Sequence, residues 1–147
     1  MKRLLASLLL LFLGIAQADT QIPDKLVGVW TTDGSVLKGE ELVSGQALYI
    51  DIDGTGAMVS KGPKGSVRSR FAIAQYEANS QHIEVDITEG DTGSGRITLN
   101  YEPLEAAITT PEADSSIYHR RKQVVSPDIR KALGLKELVN EVPPPVR

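Results

Sequence analysis

The sequence predicts an all-β fold: an eight-stranded up-and-down antiparallel barrel followed by a short C-terminal helix. Apolar and polar residues alternate in short runs along most of the chain, which is the period of a strand with one buried face. Turn residues separate these runs, and no helical pattern that would form a crossover connection lies between them. Eight strands joined in this way close into a barrel, which removes both exposed edges of the sheet.

Turn residues and alternation together place the individual strands. A loop is expected at Glu89 to Gly95, and Pro103 and Pro111 interrupt the alternation. The predicted strands lie at residues 27–33, 48–53, 57–60, 66–76, 83–87, 97–101, 104–108 and 115–122. The side chains expected inside are Trp30, Leu48, Ile50, Ile52, Phe71, Ile73, Ile83, Val85, Ile87, Ile97, Leu99, Tyr101, Leu104 and Ile108.

The first 18 residues are expected to be a signal peptide outside the folded domain. Lys2 and Arg3 precede an apolar run from Leu4 to Ile15, and Ala16-Gln17-Ala18 forms a small-x-small cleavage site. The apolar run is shorter than the roughly 20 residues that span a bilayer. We therefore expect cleavage after Ala18, no membrane span in the mature chain, and a periplasmic or secreted protein.

Composition narrows the functions that the mature chain can have. Cleavage removes Lys2 and Arg3, so 14 basic residues remain against 19 acidic ones and the net charge is −5. This balance argues against nucleic acid or an anionic membrane as the main partner. The chain has no cysteine, so neither a disulfide nor a lipid on an N-terminal cysteine is expected.

The segment after the last strand is predicted to form a short helix. Ser126 suits the N-cap, Pro127 the first helical position, and Gly134 would end the helix after Leu133. The expected organisation is a signal peptide at 1–18, a barrel domain at 19–125, and a short helix with a proline-rich tail at 126–147.

The entry to the first strand, Ile22-Pro23-Asp24-Lys25-Leu26-Val27-Gly28-Val29-Trp30, resembles the lipocalin (calycin) signature. In that family a turn of helix closes the barrel base, Gly-x-Trp begins the first strand, and a basic residue of the last strand lies across the tryptophan. The resemblance implies that Arg120 or Arg121 makes a cation–π contact with Trp30. Parity puts Arg121 in phase with Ile117, whereas a slip of one residue favours Arg120. The chain departs from secreted lipocalins in being short and lacking their disulfide.

The stretch from Asp51 to Gly56 begins like a calcium-binding EF-hand loop, with oxygen side chains at loop positions 1, 3 and 5 and glycine at 6. Val59 and Gly62 occupy positions 9 and 12, where further ligands are expected. The two glycines suit a tight turn between two strands. The pattern therefore favours a hairpin turn over the alternative, a weak metal site.

Enzyme chemistry is not predicted, and neither a cofactor nor a metal is expected. Two carboxylate pairs, Asp51 with Asp53 and Glu84 with Asp86, have a spacing that suits acid/base catalysis, but they fall opposite the apolar face and are expected to face water. The only histidines, His82 and His119, show no metal-binding spacing. No nucleophile elbow or phosphate-binding glycine loop occurs.

Two further segments are candidates for a functional role. Lys61, Lys64, Arg68 and Arg70 form a basic stretch that either binds an anionic partner or is a solvated face. The connection from Gly34 to Gly45 is longer than a hairpin needs, and it either covers the mouth of the barrel or simply packs against the protein.

These observations lead to two functional hypotheses. The first is an exported lipocalin-like protein that binds a small hydrophobic ligand, with Trp30, Phe71, Tyr101, Arg120 and Arg121 as ligand-binding or barrel-closing residues. The alternative is a protein-interaction module, such as an inhibitor of an exported enzyme, which uses the barrel rim and the basic stretch to bind a protein partner. The sequence leaves both open.

Overall fold

A computed structural model describes residues 22–90, 95–110 and 116–135. Within these ranges the chain forms nine antiparallel strands, a short 3-10 turn at Asp24–Leu26 and one α-helix. The strands are β1 (Gly28–Thr32), β2 (Val36–Lys38), β3 (Glu41–Ile50), β4 (Thr55–Gly62), β5 (Gly65–Glu77), β6 (His82–Gly90), β7 (Gly95–Glu102), β8 (Ala107–Thr109) and β9 (Ile117–Lys122), and the helix is α1 (Pro127–Ala132).

Eight of these strands close into an up-and-down barrel, which confirms the predicted fold class. Each strand from β3 to β9 pairs with its neighbour in the chain, and β1 pairs with both β3 and β9 to close the ring. Strand β2 lies outside the ring, as the first half of a hairpin with β3. The long connection at residues 34–45 therefore holds β2 and the start of β3.

The stretch from Asp51 to Gly56 is the turn of the hairpin between β3 and β4, as the sequence favoured. Ile50 pairs with Gly56, and the Asp51 N–H donates to the Thr55 carbonyl at 2.9 Å. Gly54 has a φ of 85°, a conformation that costs glycine little because it has no Cβ. The Asp53 carboxylate accepts hydrogen bonds from both the N–H and the hydroxyl of Thr55 and so fixes the turn.

Large apolar side chains fill the barrel, as the alternation predicted. The prediction was wrong for Ile52 and Leu104, which are 46% and 100% exposed. Both lie in turns, one after β3 ends at Ile50 and the other between β7 and β8, where the alternation of the strand no longer holds. The buried interior cluster consists of Leu26, Trp30, Leu48, Ile50, Phe71, Ile83, Val85, Leu99, Tyr101, Ile108 and Tyr118.

A second apolar cluster lies on the outside of the barrel, under α1. The helix begins as predicted, with the Ser126 hydroxyl accepting from the Ile129 N–H at 3.3 Å, and Gly134 follows it with a φ of 73°. Its apolar side covers the outer faces of β1, β3 and β4. The buried members of this cluster are Val29, Leu42, Ala47, Tyr49, Ala57, Val59, Val125, Ile129, Leu133 and Leu135.

Several sequence predictions concern parts of the chain outside the described residues. These are the signal peptide, the proline-rich tail and most of the loop expected at 89–95. Glu89 and Gly90 belong to β6, and Gly95 begins β7, so the strands extend further into that loop than predicted. Across the described ranges, no helix has the length and apolar character that crossing a membrane requires.

Candidate functional site

One end of the barrel is closed around Trp30. The indole N–H donates to the Leu26 carbonyl at 3.0 Å, so the 3-10 turn is held across this end. The Arg120 guanidinium lies with its carbon 5.7 Å from the Trp30 ring centroid and donates to the carbonyls of Val27 and Asp24. We call this the closed end. Here the cation is held by backbone carbonyls as well as by the aromatic face.

The residues predicted as ligand-binding or barrel-closing occupy different places. Tyr101 packs edge-on against Trp30, with ring centroids 6.4 Å apart, so these two and Arg120 come together at the closed end. Phe71 lies in the interior cluster. Of the two arginines left open by the sequence, Arg120 contacts Trp30, whereas Arg121 donates to the Thr31 hydroxyl at 3.4 Å.

The opposite end of the barrel, where β1, β4, β6 and β8 end, is lined by partly buried apolar side chains. We call it the open end. Met58, Ile87 and Ile97 pack against the interior cluster but are only partly buried. Val67, which alternation places on the same face of β5 as Phe71, is 45% exposed. Water therefore reaches apolar side chains that face inward at this end.

Polar groups at the open end form a short hydrogen-bonded chain. The Ser116 hydroxyl donates to the side-chain oxygen of Gln46 at 2.9 Å, and Ser116 also hydrogen-bonds to Tyr118. Burial raises the pKa of Tyr118 and outweighs the opposing effect of that hydrogen bond, so the phenol is neutral at physiological pH. These groups are uncharged donors and acceptors.

Among the residues that the structure describes, the inward-facing positions between Trp30 and the open end carry no charged side chain. The cations of β4 and β5 are Lys61, Arg68 and Arg70, and the alternation of the strands places them on the outer face of the barrel. The inward positions carry Thr32, Gln46, Met58, Ser60, Val67, Ser69, Ile87, Ile97, Ser116 and Tyr118.

The prediction that Asp51 faces water was wrong, because α1 places Arg130 against it, whereas Asp53 is exposed as predicted but contacts the same arginine. Arg130 donates to the Asp51 carboxylate at 2.5 Å and to Asp53 at 3.0 Å, and its side chain is 8% exposed. It also donates to the Thr55 hydroxyl at 3.2 Å. We call these four residues the Arg130 clamp. A guanidinium thus satisfies the carboxylates that resembled calcium ligands.

The electrostatics of the Arg130 clamp favour its charged form. Burial raises the pKa of Asp53, but hydrogen bonds from Arg130 and Thr55 together outweigh it and hold the pKa below its usual value. Burial lowers the pKa of Arg130, but its hydrogen bonds to Asp53 and Asp51 outweigh this effect and raise it. Arg130 and the turn are 75 to 79 residues apart, so local sequence patterns gave no signal for the contact.

The basic stretch lies largely beside the C-terminal helix. Arg68 donates to the Ala132 carbonyl at 3.3 Å and Arg70 to the Gly134 carbonyl at 3.2 Å. Carbonyls at the end of a helix carry partial negative charge, so two arginines stabilise the helix there. These two contacts show that part of the basic stretch holds a segment of the same chain.

The other groups singled out by the sequence do not form a catalytic arrangement. Asp86 and Glu84 lie on the outer face, where Arg96 donates to Asp86 at 2.7 Å and Thr98 donates to Glu84 at 3.0 Å. The hydrogen bond from Arg96 lowers the pKa of Asp86. Among the described residues, no three side chains of His, Cys, Asp or Glu lie close enough to hold a metal ion.

No family model matches the chain, and no solved structure matches it. The geometry alone defines the class, which is an eight-stranded antiparallel barrel consistent with a calycin-like fold.

Proposed function

We propose that this protein is an exported, lipocalin-like binding protein that takes a small apolar ligand at the open end of its barrel. The observation that carries the proposal is the partial solvent exposure of the inward-facing Met58, Ile87 and Ile97 at that end. The opposite end is closed by Trp30 and Arg120. A barrel closed at one end and apolar at the other gives a ligand one route of entry.

The driving force for binding would be the removal of these side chains and of the ligand from water. Each methylene group buried contributes about 0.8 kcal/mol, so an alkyl chain of a few carbons is enough for measurable affinity. The polar chain of Gln46, Ser116 and Tyr118 would then hydrogen-bond one polar group of the ligand. Ligand sites commonly combine an apolar lining with a few such groups.

The lining also predicts that the ligand is uncharged. A carboxylate buried at the open end would meet none of the three cations of β4 and β5, because Lys61, Arg68 and Arg70 lie on the outer face. Burying an ion without a partner costs several kcal/mol. We therefore expect this site to bind 1-octanol at least tenfold more tightly than octanoate.

Two measurements test the proposal. Native mass spectrometry of protein purified from its own compartment should detect a small hydrophobic species. Titration with 1-octanol, followed by two-dimensional NMR of the ¹⁵N-labelled protein, should shift amide signals of Gln46, Ile87 and Ile97. Absence of a bound species together with no octanol-induced shifts at these residues would refute the proposal.

A matched pair of variants separates ligand binding from general effects on the fold. Ile97→Asp puts a charge at the open end and should weaken 1-octanol binding at least tenfold. Ile117→Asp makes the same change on β9, where alternation points the side chain outward and it is 48% exposed. This control should bind 1-octanol as the unmodified protein does.

The second candidate is a protein-interaction module that uses the rim of the open end. It is favoured by the exposed Val36, Val43 and Val67, 45 to 54% accessible, on strand segments near this rim. Lys64 lies in the adjacent turn between β4 and β5. A pull-down from envelope extract should lose its specific partner when Val67 and Lys64 are both changed to Ser; identical partner profiles would count against this candidate.

A further inference from the structure

Inward-facing polar side chains of the open end lie together on one side of the barrel. Tyr118 of β9 pairs with Thr32 of β1, and Gln46 of β3 pairs with Ser60 of β4. Since β1 also pairs with β3, these four strands are consecutive around the ring, and their inward hydroxyl and amide groups form one continuous arc. We call the side chains of these four residues the polar arc.

The strands opposite the polar arc, β6 and β7, present apolar side chains at the same end. Ile87 and Ile97 face inward there, and both pack against the interior cluster while remaining partly exposed. They are diagonal neighbours, because Ile87 pairs with Gly95 and Val85 pairs with Ile97. A ligand at the open end would therefore meet hydrocarbon on one side and hydrogen-bonding groups on the other. This division favours a molecule with an alkyl chain and a hydroxylated end over a hydrocarbon alone.

Two adjacent groups of the polar arc keep hydrogen-bonding capacity for a ligand. Ser116 donates to the side-chain oxygen of Gln46 at 2.9 Å, which leaves the two N–H donors of the amide nitrogen. Across the strand pair, the exposed hydroxyl of Ser60 can both donate and accept. Among the residues that the structure describes, none forms a hydrogen bond with that nitrogen or that hydroxyl. The Thr32 hydroxyl differs, because it lies 2.8 Å from the hydroxyl of Ser35 and bonds to it.

The spacing of Gln46 and Ser60 suits two hydroxyls on neighbouring carbons. Residues directly opposite each other on antiparallel strands have Cβ atoms about 4.5–5.5 Å apart. One oxygen of a vicinal diol can therefore accept from the Gln46 nitrogen while the other bonds to the Ser60 hydroxyl. Hydroxyls further apart on an alkyl chain would place one of them against Ile87 and Ile97, where burying a hydroxyl without a partner is unfavourable.

We propose that the open end selects an uncharged amphiphile whose polar end is a vicinal diol. The diol binds between Gln46 and Ser60, and the alkyl chain lies toward Ile87 and Ile97. This inference rests on the proposed function and adds to it the chemistry of the ligand's polar end. A diol carries no charge, which suits a site whose described inward positions carry none.

Three probes with eight carbons test this inference: 1,2-octanediol, its isomer 1,8-octanediol, and 1-octanol. Their affinities are measured by NMR titration of the ¹⁵N-labelled protein. We expect 1,2-octanediol to bind about fivefold more tightly than 1-octanol, the net effect of one additional neutral hydrogen bond, although its second hydroxyl makes it less hydrophobic. It should also bind more tightly than 1,8-octanediol, and it should shift the amide signals of Gln46 and Ser60.

Two serines on neighbouring strands provide matched variants. Ser60→Ala removes one partner of the diol and should abolish the preference for 1,2-octanediol over 1-octanol. Ser66→Ala makes the same change at an exposed position on the outer face of β5 and should leave that preference intact. Equal affinities of the unmodified protein for the two probes, or a preference that survives Ser60→Ala, would overturn the diol site and leave the proposed function standing. Absence of shifts at the open end with all three probes would overturn both.

Discussion

The Arg130 clamp gives the sharpest prediction about stability, namely that Arg130→Met destabilises the fold. The substitution keeps much of the side-chain length but leaves Asp51, which is 5% exposed, without its cation. Breaking a buried ion pair costs about 3–5 kcal/mol, and the partial exposure of Asp53 places this pair at the low end, about 3 kcal/mol. For a chain of this length the melting temperature should fall by about 10 °C.

Urea unfolding followed by far-UV circular dichroism measures this change, and two variants control it. Lys131→Met makes the same replacement at the next, exposed position of α1 and should cost less than about 0.5 kcal/mol. Adding Asp51→Asn to Arg130→Met removes the unpaired buried charge, so the double variant should be more stable than Arg130→Met alone. Equal unfolding free energies for Arg130→Met and Lys131→Met would show that the Arg130 clamp does not stabilise the fold.

The turn, the interior and the closed end of the barrel each give a further prediction. The pKa of Asp53 is lower in the folded protein than in the unfolded chain. The ionised carboxylate therefore stabilises the fold above the unfolded pKa of about 4, and this contribution is lost as pH falls through the folded pKa. In melting temperatures measured between pH 2 and 6, Asp53→Asn should reduce the fall in melting temperature at acidic pH. Gly56→Ala should destabilise the fold by about 2 kcal/mol in urea unfolding, because the added methyl would overlap the Tyr49 carbonyl oxygen and lie 2.5 Å from Phe71 Cζ; a cost below 0.5 kcal/mol would contradict this packing. Arg120→Met removes hydrogen bonds to the Val27 and Asp24 carbonyls and should cost about 2 kcal/mol while red-shifting Trp30 fluorescence; an unchanged emission spectrum would show that the closed end does not depend on Arg120.

Local sequence patterns were enough to predict the eight strands of the barrel, their order and the start of the helix, but not β2. Alternation depends only on residues two apart, so it places Leu48 and Ile50 inside without knowledge of the partner strands. Turn and cap signals depend on single residues, such as Gly54 in the hairpin and Ser126 at the helix start. The same rule failed at Ile52 and Leu104, because alternation has no meaning once the chain has left the strand.

The tertiary structure alone decided what covers the outer face of the sheet. A period of two assigns Tyr49 and Asp51 to the face opposite the core, and only the docking of α1 turns that face into a second buried cluster. Docking also converts Asp51 and Asp53 from apparent solvent-facing carboxylates into partners of Arg130, and Arg68 and Arg70 from a basic surface into contacts of the helix end. The sequence by itself determined a barrel with a short helix after it. Where that helix lies depends on contacts between residues more than 60 positions apart, which no local pattern encodes.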